Sequence, residues 1–131
     1  MSEENVDLVR HAFRRLDEGG IDALLPFIHP DFEVTTPAEL AAEPGTYRGP
    51  EGLRRYFDSF YDAMDKVEFQ PDDFIAVGKS VVVPVTLRAR GRTTGIETEQ
   101  RVVQIWDLVD QRAIRVRVFA TLDEAMAAAR G

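Results

Sequence analysis

The residues able to do polar chemistry inside this chain gather near its end, in the stretch VVQIWDLVDQRAIRVRVF. Arg117 is the most informative of them. An arginine on a face covered by helices must find a partner, because an unpaired buried charge is very costly. Two roles are open to it. One is a structural ion pair with a helix acid, or a seat at a pocket rim. The other is a contact to a carboxylate, phenolate or carbonyl oxygen of a ligand, which a planar guanidinium suits. Gln104 opposite it would supply a neutral donor and acceptor, with Trp106 and Phe119 alongside. Phe13, Tyr56, Phe57 and Phe60 are core aromatics or the wall of the same pocket.

Other reactive groups are sparse. There is no cysteine, so thiolate metal sites, cysteine nucleophiles and disulfides are excluded together. Of the two histidines, His11 lies opposite the apolar stripe of its helix. With Asp7 it makes two metal ligands where a site needs more. His29, before a proline, punctuates a helix end. Glu33 and Tyr47 flank the pocket region. Ser2, Ser59 and Ser80 sit in no nucleophile elbow. No phosphate loop or dinucleotide fingerprint is present. No metal or cofactor is expected, and no catalytic constellation is legible.

These side chains act only where the backbone puts them. Val81, Val83, Val85, Leu87 and Ala89 alternate with Val82, Pro84, Thr86, Arg88 and Arg90, the pattern of a half-buried strand. GRTTG at 91–95 forms a turn. Setting Gly91 opposite Ile96 brings Arg90 to Glu97 and Arg88 to Glu99, opposite charges that favour this register. Val85, Val83 and Val81 then lie beside Val102, Gln104 and Trp106. A second turn at Asp110 and Gln111 pairs Gln104 with Arg117, Trp106 with Arg115, and Val102 with Phe119. The opposite face pairs Val103 with Val118 and Ile105 with Val116. Those four aliphatics form a patch that a monomer seldom leaves wet, so a homodimer through Val103, Ile105, Val116 and Val118 is expected.

Upstream, Val6, Val9, Phe13 and Leu16 mark one stripe of a helix that Gly19 and Gly20 stop. A short second helix runs from Ile21 to Ile28, and a short strand covers 32–36. Residues 37–49, PAELAAEPGTYRG, read as an ordered loop. Gly49 and Pro50 open a helix with Leu53, Tyr56, Phe57, Phe60 and Met64 inward. Short strands follow at 67–70 and 74–77, and Thr121 with Glu124 caps a closing helix.

At 131 residues, 44% apolar and 30% charged, the chain is expected to be one domain, 1–131, with a real core. A net charge of −7 argues against nucleic acid. No stretch approaches the ~20 apolar residues of a membrane span, and the acidic start is no signal peptide. The expectation is a cytoplasmic protein.

The order of helix, short helix, HPDFEV, loop, YRGPEGLRRYF, long hairpins, VVQIWDL, IRVRVF and LDEAMAAA resembles a family. It is similar to the SnoaL-like polyketide cyclase group of the nuclear-transport-factor-2-like superfamily, which includes ketosteroid isomerase and limonene epoxide hydrolase. The resemblance covers essentially the whole chain. It implies an α+β cone, with a curved, mostly antiparallel sheet and N-terminal helices on its concave face. It also implies a pocket between them and frequent sheet-mediated dimers. Carried over by position, the isomerase's general base falls on Thr36, its helix tyrosine near Ala12 or Phe13, and its sheet aspartate on Gln104. That chemistry needs a carboxylate base, so an isomerase of that kind is not expected. Arg101 and Asp107 resemble parts of the epoxide hydrolase set but point to the opposite face. The expected function is a pocket for a small apolar, oxygen-bearing molecule, possessed by a cyclase-, isomerase- or hydratase-type enzyme, a non-catalytic binding protein or an association domain.

Overall fold

Glycine and proline positions divide the chain as the sequence suggests, and pairing then extends the elements. The computed structural model describes residues 2–36 and 45–130, with the backbone alone for 2, 60, 61 and 63. Helix α1 (Ser2–Leu24) bends where Gly20 takes φ 72° and ψ −160°, a conformation that costs glycine little. The expected first helix and the start of the second are the two halves of this bent element. Leu25–Phe27 is a 3-10 turn rather than more helix, because Pro26 has no N–H to continue it. Strand β1 (Ile28–Thr36) starts earlier than expected because Ile28 pairs with Ala113. A register shift between Ile28 and Glu33 accommodates Pro30, which has no N–H to give.

Strand β2 (Gly45–Arg48) lies where a loop was expected, pairing antiparallel with β1 from Glu33↔Arg48 to Thr36↔Gly45. Residues 37–44 of that expected loop lie outside the described residues. Helix α2 (Gly49–Ala63) begins at Gly49 and Pro50 and buries Leu53, Tyr56 and Phe57. There follow β3 (Met64–Pro71), β4 (Ile75–Val77), β5 (Ser80–Gly91), β6 (Glu97–Val109), β7 (Arg112–Phe119) and helix α3 (Leu122–Arg130). The strand order is β2-β1-β7-β6-β5-β3, with β4 on β5. All pairs are antiparallel except β1 with β7. This is the α+β roll that the sequence implies, with α1 and α2 covering the inner face of the curved sheet.

The β5–β6 register is the expected one, from Val81↔Trp106 to Arg90↔Glu97, with Arg88 Nε 3.3 Å from Glu99. The β6–β7 register is not. The turn is right: Asp110 and Gln111 both have positive φ, and Val109 pairs with Arg112. The ladder then shifts between Asp107 and Leu108, so Asp107 pairs with Arg115 while Leu108 pairs with Ala113. Ile114 is the extra residue of a bulge, and every later β7 side chain changes face. Val116 and Val118 point inward, and Arg115 and Arg117 outward. The reason is energetic. An unbulged ladder would put two guanidiniums under the helices, at several kcal/mol each. The bulge buries two valines there, each worth roughly 1.5–3 kcal/mol.

The expected dimer patch is therefore corrected. Val103 and Ile105 lie on the outer face, but Val116 and Val118 belong to the inner core. The outer pair is covered by the chain itself: α3 lays Ala125 and Met126 over Val82, Val103 and Ile105, and Ile105 is 0% exposed. Alanines on α3 allow this close approach.

Candidate functional site

Alternation on β6 places Val102, Gln104 and Trp106 on the inner face, beneath α1 and α2. Phe13 and Leu16 from α1 and Leu53, Tyr56 and Phe57 from α2 meet them from above. Phe32, Val34, Val116, Phe69, Leu24 and Ile28 also line the space. The cavity they enclose measures about 40 Å³. By the ~15 Å³ that each water needs, that is room for two or three. Ordinary ligand pockets run to roughly 300–1,000 Å³.

The walls are apolar apart from three tips. Trp106 Nε1 donates to Gln104 Oε1 at 2.8 Å. The Gln104 side chain thus has its acceptor satisfied, while its Nε2 has no protein partner among the described residues. Tyr56 OH accepts from Thr36 Oγ1 at 3.4 Å. Burial pushes the Tyr56 phenol above its ordinary value of 10.0, outweighing the opposing pull of the Thr36 hydroxyl. Tyr56 is therefore a neutral phenol at physiological pH. Tyr47 packs edge-on against it with ring centroids 5.5 Å apart, and Phe13 lies 5.3 Å from Trp106.

Of the expected pocket residues, Phe13, Tyr56, Gln104 and Trp106 come together in the cavity wall. Thr36 is buried and bonded to Tyr56 without reaching that wall. Phe60 lies in α2, and its side chain is outside the described residues.

Arg117 and Phe119 are corrected. Both leave the covered face because of the β7 bulge. Arg117 pairs across the strand with Ile105, and its Nη2 lies 3.4 Å from Asp107. Phe119 packs with the cluster under α3. Both line an outer groove of about 350 Å³ with Glu33, Thr35, Arg115 and Glu124. Both roles considered for Arg117 placed it on the covered face; instead it makes an ion pair with a strand acid on the outer face.

Sequence reasoning missed Val116 because of the slip. Phe32 and Val34 were legible in the alternation of DFEVTT. Phe69 had only its place in a short strand to announce it. The remaining candidates lie elsewhere. His11 stacks edge-on against Phe27 at 5.3 Å, and Asp7 accepts from Arg10 at 3.2 Å. His29 Nδ1 accepts from the Asp31 backbone N–H at 3.0 Å. Glu33 meets Arg48 at 3.5 Å, and Ser80 donates to Asp107 at 2.5 Å. Among the described residues, no helix is long and apolar enough to cross a membrane.

A family model described as a SnoaL-like domain matches residues 9–116. No curated protein matches the chain in sequence. Solved structures share its shape. An NTF2-like protein from Burkholderia pseudomallei superposes with a TM-score of 0.79 at 20% identity, over 98% of each chain. TerC, co-crystallised with polyporic acid, gives 0.79 at 20% identity, covering 98% of this chain and 99% of its own. SalBIII, an epoxide hydrolase/cyclase-like enzyme of pyran ring formation in the polyether salinomycin, gives 0.74 at 21% identity, covering 92% and 93%. At these identities the likeness is one of fold.

Proposed function

Because the chain belongs to the SnoaL-like domain family, we propose that it binds a small, largely apolar molecule bearing an oxygen acceptor, and that Gln104 Nε2 donates to that oxygen. One observation carries this reading. Gln104 lines a largely apolar cavity and gives its acceptor to Trp106, leaving its amide N–H groups without a partner among the described residues. A ligand carbonyl or phenol oxygen that accepts from this amide would form a hydrogen bond worth about 0.5–1.5 kcal/mol. The ligands and reactions of TerC and SalBIII support an oxygen-bearing class without fixing a compound.

Among the described residues the cavity wall carries no carboxylate or imidazole. Gln104 and a protonated Tyr56 are suited to holding a ligand oxygen, or to stabilising negative charge that grows on it in a cyclase-type step. They are not suited to abstracting a proton. Thr36, where ketosteroid isomerase places its base, cannot do so either. The chemistry of the wall therefore favours binding over base-catalysed isomerisation.

The test is calorimetric titration of phenol into the wild type and Gln104→Leu, with fluorescence of the sole tryptophan, Trp106, as a second reporter. The variant should bind roughly tenfold more weakly, about 1.4 kcal/mol. Equal affinity in the two proteins, or no binding to the wild type, would overturn the reading.

A further inference from the structure

The inner cavity cannot hold a ligand of ordinary size, and its walls indicate where the rest of the molecule goes. Outside the seam between α1 and β3 lies an open groove of about 320 Å³, lined by Phe13, Phe69, Pro71, Phe74 and Arg10 among others. Phe13 and Phe69 also line the inner cavity, so these two rings form a wall common to both spaces. We propose that cavity and groove are two halves of one elongated site partitioned by Phe69, and that the ligand is a linear molecule of at least two aromatic rings. The inner ring would carry the oxygen for Gln104, and the outer ring would rest beside Phe74. This inference rests on the small-molecule reading above.

The two partition residues are held differently. Phe13 is fixed from both sides, its ring 5.3 Å from Trp106 within and 6.2 Å from Phe74 without. Phe69 packs edge-on against Phe57, ring centroids 5.5 Å apart, but it sits half-buried on β3, a strand at the end of the sheet order that pairs with β5 alone. It follows a register irregularity between Asp65 and Glu68, where Lys66 takes φ 53°. A strand with one ladder of hydrogen bonds is displaced at less cost than a central one. Phe69 is thus the part of the wall that yields.

The groove's chemistry fits a neutral ring. Phe74 offers an aromatic surface, and the Arg10 guanidinium lies 5.0 Å from its centroid. A second ring between Phe69 and Phe74 would gain edge-to-face or offset contacts. Arg14, Asp17 and Glu68 on the rim are balanced in sign once Arg10 is counted, so the outer ring needs no charge. The groove supplies the volume that the cavity lacks.

The test compares phenol with 4-phenylphenol by calorimetry on the full chain. The wild type should bind the two-ring probe roughly tenfold or more tightly than phenol. Phe69→Trp thickens the partition, and Phe74→Ala removes the groove surface without touching the inner cavity. Each should weaken 4-phenylphenol roughly tenfold while leaving phenol within about twofold. Gln104→Leu should weaken both probes together. If the two probes shift in parallel in both partition variants, or if 4-phenylphenol binds no better than phenol, the two-part site is wrong and the single-cavity reading stands. If neither probe binds the wild type, the small-molecule reading fails and takes this inference with it.

Discussion

Trp106 donates its indole N–H to the side-chain oxygen of Gln104, two residues away on the same face of β6, at 2.8 Å. The pair is buried beneath the helices, with Gln104 8% and Trp106 6% exposed. Gln104→Leu removes the acceptor and strands the indole N–H, a cost of about 1–3 kcal/mol. Trp106→Phe frees both ends of the amide. Because the residues are in contact, the double variant should be less destabilised than the sum of the singles by about 0.5–2 kcal/mol. Urea unfolding of the four proteins checks this, and strict additivity would show that the contact carries no energy.

Asp107 on the outer face gathers Ser80 Oγ at 2.5 Å, Arg115 Nε at 2.7 Å and Arg117 Nη2 at 3.4 Å. Arg117 Nε is buried and makes no hydrogen bond. The two partners should therefore respond unequally to removal. Asp107→Ala leaves two guanidiniums and a hydroxyl without their acceptor, and the half-exposed arginines limit the loss to about 1–3 kcal/mol. Arg117→Met removes an unsatisfied donor and keeps the stem's packing, so its effect should lie within about 1 kcal/mol of zero. Chemical denaturation giving the reverse order would contradict the geometry.

Helix α3 covers the outer aliphatics, with Ala125 0% exposed against the cluster of Val82, Val103 and Ile105. Ala125→Asp forces an unpaired carboxylate into that seam and should cost about 3 kcal/mol or more. Deleting residues 122–131 should expose the same patch and yield oligomers that bind a hydrophobic dye. Sedimentation velocity with dye fluorescence reads both outcomes. A truncated chain that stays monomeric and dye-negative would mean that α3 is not what keeps this face dry.

Tyr56 has its phenol pKa raised above 10.0 by burial. The unfolded chain releases that proton first, near pH 10, so its ionisation favours unfolding only above that point. The Tyr56 increment of stability is thus fully present below about pH 10 and is lost as pH rises toward the folded pKa. Thermal melts between pH 8 and about 11 should fall less steeply at the alkaline end for Tyr56→Phe than for the wild type. Parallel slopes would place the phenol in a wetter site than this one.

The sequence by itself determined the fold class, the break in the first helix at Gly20, the helix start at Gly49 and Pro50, and the whole β5–β6 register. Each is a local signal: a glycine able to take positive φ, a proline at the first helical turn, or opposite charges meeting across a hairpin. It also determined that Phe13, Tyr56, Gln104 and Trp106 face inward, because period-2 and period-3.6 patterns assign faces within one element. Tertiary structure decided the rest. A two-residue turn fixes the start of a ladder but says nothing of a bulge three residues on. The bulge at Ile114 exists because Arg115 and Arg117 are cheaper on the outer face near Asp107 than beneath the helices, while Val116 and Val118 are better inside. That comparison needs both faces of the sheet and what covers each. In sequence α3 reads only as a closing helix capped by Thr121 and Glu124. Only its packing on Val82, Val103 and Ile105 shows that the patch expected to bind a second copy is covered by the chain itself.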